Sequence, residues 1–149
     1  MEMRFIYSAL AAALTLAMLA QSQATAQERT REGAQTLITS MSVRGSTSAM
    51  WFPIASPRVS VVSAFGSECS TVFVLADGNQ ITVSWSKVSE VRYSSFAEGL
   101  MISAGDFPRW AQGTNSLVLA YDSEATANRV RAAGEFLRRS CDTLASTGF

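Results

Sequence analysis

The sequence predicts an α+β, mostly-β fold: a bent antiparallel sheet or small β-sandwich of about six strands, closed by one C-terminal amphipathic helix. Three observations carry this expectation. Short runs of alternating apolar and polar residues fill the stretch from 58 to 121. Asp77-Gly78-Asn79 separates two of those runs as a hairpin turn. The apolar spacing then changes to three and four at Val130, Ala133, Leu137, Cys141 and Leu144, which is one stripe of a helix.

In chain order, residues 1–26 read as a secretory signal peptide. Arg4 marks the n-region, Ala9 to Ala20 is an apolar run too short to span a bilayer, and Ala24-Thr25-Ala26 is an A-x-A cleavage site. Residues 27–57 form an N-terminal segment. Leu37, Ile38 and Met41 allow one short amphipathic helix there, against which Gly33 weighs. Met50 to Ile54, punctuated by Pro53 and Pro57, reads as an edge strand because an edge tolerates proline. Residues 58–149 form the β-domain with its helix. Val59, Val61 and Val62 open a strand that runs to Phe65. Ser70 to Ala76 is apolar on both faces, as a central, covered strand would be. Ile81, Val83 and Trp85 alternate strictly with Thr82, Ser84 and Ser86, and a bend at Ser86-Lys87 leads to Val88, Val91 and Tyr93. Gly99–Ser103 and Ser116–Tyr121 are two further strands. Asp122 or Ser123 caps the last helix, where Gly134 permits close approach to the sheet.

Composition narrows the function. The chain has 149 residues, 12 basic and 12 acidic side chains, and no His. A neutral chain lacks the basic surface that holds nucleic acid, so no nucleic-acid partner is expected. Without His there is no Ser-His-Asp or Cys-His nucleophile and no His-ligated metal. Two cysteines cannot build a four-cysteine zinc site. No cofactor and no metal are expected. After signal cleavage nothing apolar is long enough to insert in a membrane, so the address is the periplasm or the exterior. In that oxidising setting Cys69 and Cys141 are expected to form one disulfide, which staples the C-terminal helix to the sheet. Two free thiols are one alternative and a redox-active pair is another, though no C-x-x-C motif supports the latter.

The order of strands followed by one helix resembles the pleckstrin-homology-like superfold. Phosphoinositide binding does not carry over: the chain has a single Lys, Lys87, and no basic cluster on its early hairpin. A second resemblance rests on Arg31-Glu32-Gly33-Ala34-Gln35, Trp51-Phe52, Trp85-Ser86-Lys87-Val88, Ser116 to Leu119, and the ending Phe136-Leu137 through Ser140-Cys141-Asp142 to Thr147-Gly148-Phe149. These segments look like a group of small exported bacterial proteins of unknown function. That group implies export and fold, and no activity.

Candidate sites follow from side-chain chemistry. The acids Glu68, Asp77, Glu90, Glu98, Asp106 and Asp122 are not paired by spacing, as acid–base catalysis would need. A Ser–Lys dyad of Lys87 with Ser86 or Ser89 is disfavoured because strand neighbours face opposite ways. Arg129, Arg131, Arg138 and Arg139 read as a solvated helix face, with an anion patch as the alternative. The leading binding candidate is the aromatic loop Phe107-Pro108-Arg109-Trp110, joined by Trp51 and Phe52, since Trp and Arg anchor many interfaces. The same aromatics can instead plug an open end of the sandwich. The expected function is a non-catalytic periplasmic interaction module with an envelope protein as partner. The alternative is a small-ligand or lipid-binding domain with its pocket between helix and sheet, and an enzyme ranks third.

Overall fold

A computed structural model describes residues 30–44, 47–52, 57–107 and 116–142. Helix α1 (Arg31–Arg44) precedes strands β1 (Ser48–Phe52), β2 (Val59–Ser67), β3 (Ser70–Leu75) and β4 (Gln80–Ser84). A single 3-10 turn, Trp85–Lys87, leads into β5 (Val88–Ser94), β6 (Gly99–Ala104) and β7 (Ser116–Ala120), and helix α2 (Glu124–Cys141) follows. The seven strands form one antiparallel sheet in the order β4-β3-β2-β1-β7-β6-β5. The mostly-β expectation holds, with seven strands rather than about six.

Each element has a local cause. In α1, Thr30 accepts a bond from the Gly33 N–H at 2.9 Å, and Ala34, Leu37 and Ile38 turn into the core. The β3–β4 hairpin turns at Gly78, whose φ of 85° suits glycine; its neighbour Asn79 needs no such angle. Asp77 accepts bonds from the Asn79 backbone and side-chain N–H groups at 3.0 and 2.9 Å. Those bonds, the backbone one foremost, hold the exposed Asp77 carboxyl below its usual range. Ser123 caps α2 by accepting from the Thr126 N–H at 3.2 Å, which resolves the choice between Asp122 and Ser123.

Two sequence expectations change. The strand at Met50 was expected at an edge, yet β1 lies between β2 and β7 and pairs with β7 along all five residues. The strand ends at Phe52, so neither Pro53 nor Pro57 falls within it and the proline argument for an edge does not apply. The strand at Ser70 is central but covered on one face only. Thr71, Phe73 and Leu75 are buried while Val72 and Val74 are half-buried.

The core lies between the sheet and the two helices. Trp85, Phe73, Leu100, Ile102, Leu117, Leu119, Val130 and Leu137 are fully buried in it. A fully buried aliphatic or aromatic side chain contributes roughly 1.5–3 kcal/mol, so this cluster dominates the folding energy. Gly134 of α2 is pressed onto Trp85: a Cβ there would lie 3.3 Å from the indole ring. The Trp85 indole N–H donates to Thr71 Oγ1 at 2.8 Å, and Thr71 donates to Gln35 Oε1 at 2.6 Å. Gln35 Nε2 donates in turn to the Glu68 and Ser70 carbonyls, each at 3.2 Å. This buried chain ties α1, β3 and the 3-10 turn together, with every member satisfied.

A disulfide joins Cys69, in the β2–β3 turn, to Cys141 at the end of α2, with the Cα atoms 5.6 Å apart. Beside it the Arg31 guanidinium donates to the Ser140 carbonyl. The beginning of α1, the end of α2 and the β2–β3 turn therefore meet at one seam.

Candidate interaction surface

The aromatic residues singled out from the sequence divide between two faces. Strand neighbours alternate, so Trp51 and Phe52 of β1 point to opposite sides of the sheet. Trp51 shares a cross-strand row with Leu117 and Ile102 on the core face. It meets Phe107 edge to face, ring centroids 5.2 Å apart and planes at 79°. Phe107 is buried, so this pair closes the core end. Arg109 and Trp110 lie outside the described residues, and the aromatic loop is defined here by Phe107 alone.

Phe52 faces outward. It lies 6.1 Å, centroid to centroid, from Phe96 in the β5–β6 turn, and the two remain 39% and 60% exposed. Below them runs the outer row Met50, Val118, Met101 and Arg92, one residue from each of β1, β7, β6 and β5. Met50, Val118 and Met101 cluster with Ala97 as a small second core. The Arg92 guanidinium rests on the Met101 sulfur, with nitrogens at 3.1 and 3.2 Å, and lies 3.9 Å from Glu90. Phe52, Phe96, Arg92, Met101 and Tyr93 line a shallow groove of about 290 Å³. Desolvation and the negative charges of Glu124 and Glu98 push the Tyr93 hydroxyl above its usual pKa. The Tyr93 side chain itself lies on the opposite face of β5 from Arg92, across from the buried Leu100, so its hydroxyl is not part of the groove. The combination is a supported apolar floor, two aromatic rings and one cation.

Phe96 and Arg92 were not apparent from the sequence. The one available signal was an aromatic residue in a polar turn, Ser94-Ser95-Phe96, where burial offers no reason for it.

The other candidates are dispersed. Lys87 pairs with Asp106 at 3.5 Å, and the Ser89 hydroxyl donates to the Ser103 carbonyl at 3.1 Å. Arg138 and Arg139 both turn to Glu135, at 3.1 and 3.6 Å, rather than converging on an open anion site. No cluster of three metal-ligating side chains occurs among the described residues. At Gly134 there is no space between α2 and the sheet, because Trp85 fills it. A separate groove of about 310 Å³ runs between β1 and the β3–β4 hairpin, where Met50, Trp51, Val59, Leu75 and Ile81 supply its apolar lining.

No family model matches the sequence, and no curated protein matches it. Among solved structures, one described as "PH domain from TgAPH" superposes with a TM-score of 0.51, covering 76% of this chain and 94% of that chain, at 8% identity. The fold is therefore pleckstrin-homology-like. At that identity the likeness concerns architecture alone.

Proposed function

We propose that this chain is an exported, non-catalytic interaction module that docks a cell-envelope protein on the Phe52–Phe96 surface. The observation that carries the reading is that aromatic pair. Two phenyl rings in mutual contact stay partly exposed over a buried Met50–Met101–Val118 floor, with Arg92 at the rim. Exposed aromatic and Arg side chains on a rigid support are what interface centres are made of. Export is supported by the leader-like residues 1–26 and by the Cys69–Cys141 bond, which suits an oxidising compartment. No helix among the described residues is long and apolar enough to cross a membrane. Membership of the group of small exported bacterial proteins is part of the same reading.

The test is cross-linking in intact cells that express the wild type or a Phe52→Ala/Phe96→Ala variant. The wild type is expected to trap one recurring envelope protein, and the double variant to lose it while melting at an unchanged temperature. Equal capture by both proteins removes the surface from the reading. A second reading, binding of a small apolar ligand, is favoured by the groove beside Trp51, away from the helix–sheet contact. Native mass spectrometry of the purified protein checks it, a mass above that of the oxidised chain being the expected sign.

A further inference from the structure

The sheet ends in two edges of different character. At the β5 end, Glu90 and Arg92 place charges on the strand, the register shifts between Val88 and Glu90, and α2 packs alongside. Charges, bulges and covering helices all blunt an edge against pairing with another chain. At the other end β4, Gln-Ile-Thr-Val-Ser, has no charge, no proline and no register shift against β3.

The hydrogen-bond ladder shows which groups β4 leaves open. The Leu75 N–H donates to the Asn79 carbonyl and the Trp85 N–H to the Cys69 carbonyl, both at 2.9 Å. Antiparallel ladders use every second residue, so Ile81 and Val83 bond to β3. The N–H and C=O groups of Gln80, Thr82 and Ser84 point away from it. Among the described residues, none is hydrogen-bonded to these backbone groups. The outer face beside this edge, formed by Ser63, Phe65, Val72, Val74 and Thr82, is uncharged, and Phe65 is 62% exposed.

We propose that β4 is a homodimerisation edge, at which two copies of this chain pair antiparallel about a twofold axis through Thr82. The strand is self-complementary in that register. Thr82 meets Thr82, Gln80 meets Ser84, and Ile81 meets Val83. Each outward donor of one copy finds an outward acceptor of the other. An isologous contact about that axis sets Thr82 against its own equivalent, so a charge at the central position would repel itself. β4 carries none, whereas β5 is made unsuited to the same pairing by its irregular register between Val88 and Glu90 and by the helix packed alongside it. Threonine opposite threonine is a favourable cross-strand pair. A five-residue contact is small, so the dimer forms in a concentration-dependent way.

The experiment is sedimentation velocity on the purified protein over a concentration series, with Thr82→Lys and Thr82→Glu variants run singly and mixed. Thr82 is exposed and its N–H is not used by β3, so both variants should keep the wild-type circular dichroism. The wild type is expected to pass from monomer to dimer as concentration rises. Each variant alone should remain monomeric at concentrations where the wild type is dimeric, and the equimolar mixture should regain the dimer. A wild type that stays monomeric throughout overturns the proposal and leaves the edge to a strand of another protein. A Thr82→Lys variant that dimerises like the wild type also overturns it. Neither outcome bears on the Phe52–Phe96 surface, which belongs to other strands.

Discussion

At the scale of single residues, Thr71 is the most consequential polar side chain. It accepts from Trp85 and donates to Gln35, both buried, so no water replaces it. Thr71→Val keeps the shape and leaves an indole N–H and an amide oxygen unpartnered. The expected loss is about 2 kcal/mol in urea unfolding, with Thr71→Ser losing much less. Gly134→Ala sets two effects against each other. Helix propensity favours alanine by about 1 kcal/mol, but the new methyl would press on a fully buried Trp85 that has no room to yield. A net destabilisation is expected, readable as a lower melting temperature. Tyr121 is buried with the Ser42 hydroxyl, at 3.2 Å, as partner, and burial drives its pKa far up. A raised folded-state pKa on an acid means that the unfolded chain releases its proton first. The stabilisation is complete below about pH 10, the unfolded value, and is lost as pH rises beyond it. Tyr121→Phe should flatten that alkaline decline in a series of urea midpoints.

At the scale of elements, the seam of α1, α2 and the β2–β3 turn concentrates the long-range links. The Cys69–Cys141 bond closes 72 residues, for which chain entropy gives about 4 kcal/mol. A Cys69→Ser/Cys141→Ser variant is expected to lose up to that amount, with its urea midpoint insensitive to reductant while the wild type falls towards it. The pairing was legible because only two cysteines exist, one in a turn and one closing the apolar stripe of α2. The caps, the hairpin at Asp77-Gly78-Asn79 and the helix stripe were legible for a similar reason: each is decided within a few residues. The place of β1 was not. Pairing partners are chosen by contacts across the chain, and Pro53 and Pro57 bear on an edge only if they lie inside the strand. Val62 shows the same limit. It is β-branched like Val59 and Val61, but the shift in register between Val61 and Ser63 leaves it 51% exposed.

At the scale of the whole molecule, one curved sheet presents a filled inner face and an outer face with two different regions. The inner face is occupied by Trp85, Phe73 and the helix stripe, apart from the groove beside Trp51. Over β1, β7, β6 and β5 the outer face holds Phe52, Phe96 and Arg92, and their removal should abolish partner capture without changing stability. Over β2, β3 and β4 it is uncharged, and it ends at the Gln80, Thr82 and Ser84 backbone groups, which no described residue pairs with. The two regions stand on different strands, so a dimer through β4 leaves both copies of the aromatic surface free. A dimer of this form would present the partner with two equivalent sites, and avidity would follow from geometry alone.

Alternation, capping, turn chemistry and helical spacing are local properties, and they determined the mostly-β class and the final helix from the amino-acid order alone, while composition left two cysteines one possible pairing and gave the chain no histidine. The tertiary structure decided which aromatic residues are exposed. Trp51 and Phe52 are adjacent in sequence, and a strand sends adjacent residues to opposite faces, so one closes the core and the other opens to solvent. Phe96 joins Phe52 only because β1, β7, β6 and β5 stand side by side. The two sheet edges, one charged and irregular and the other uncharged and regular, likewise exist only once all seven strands have taken their order.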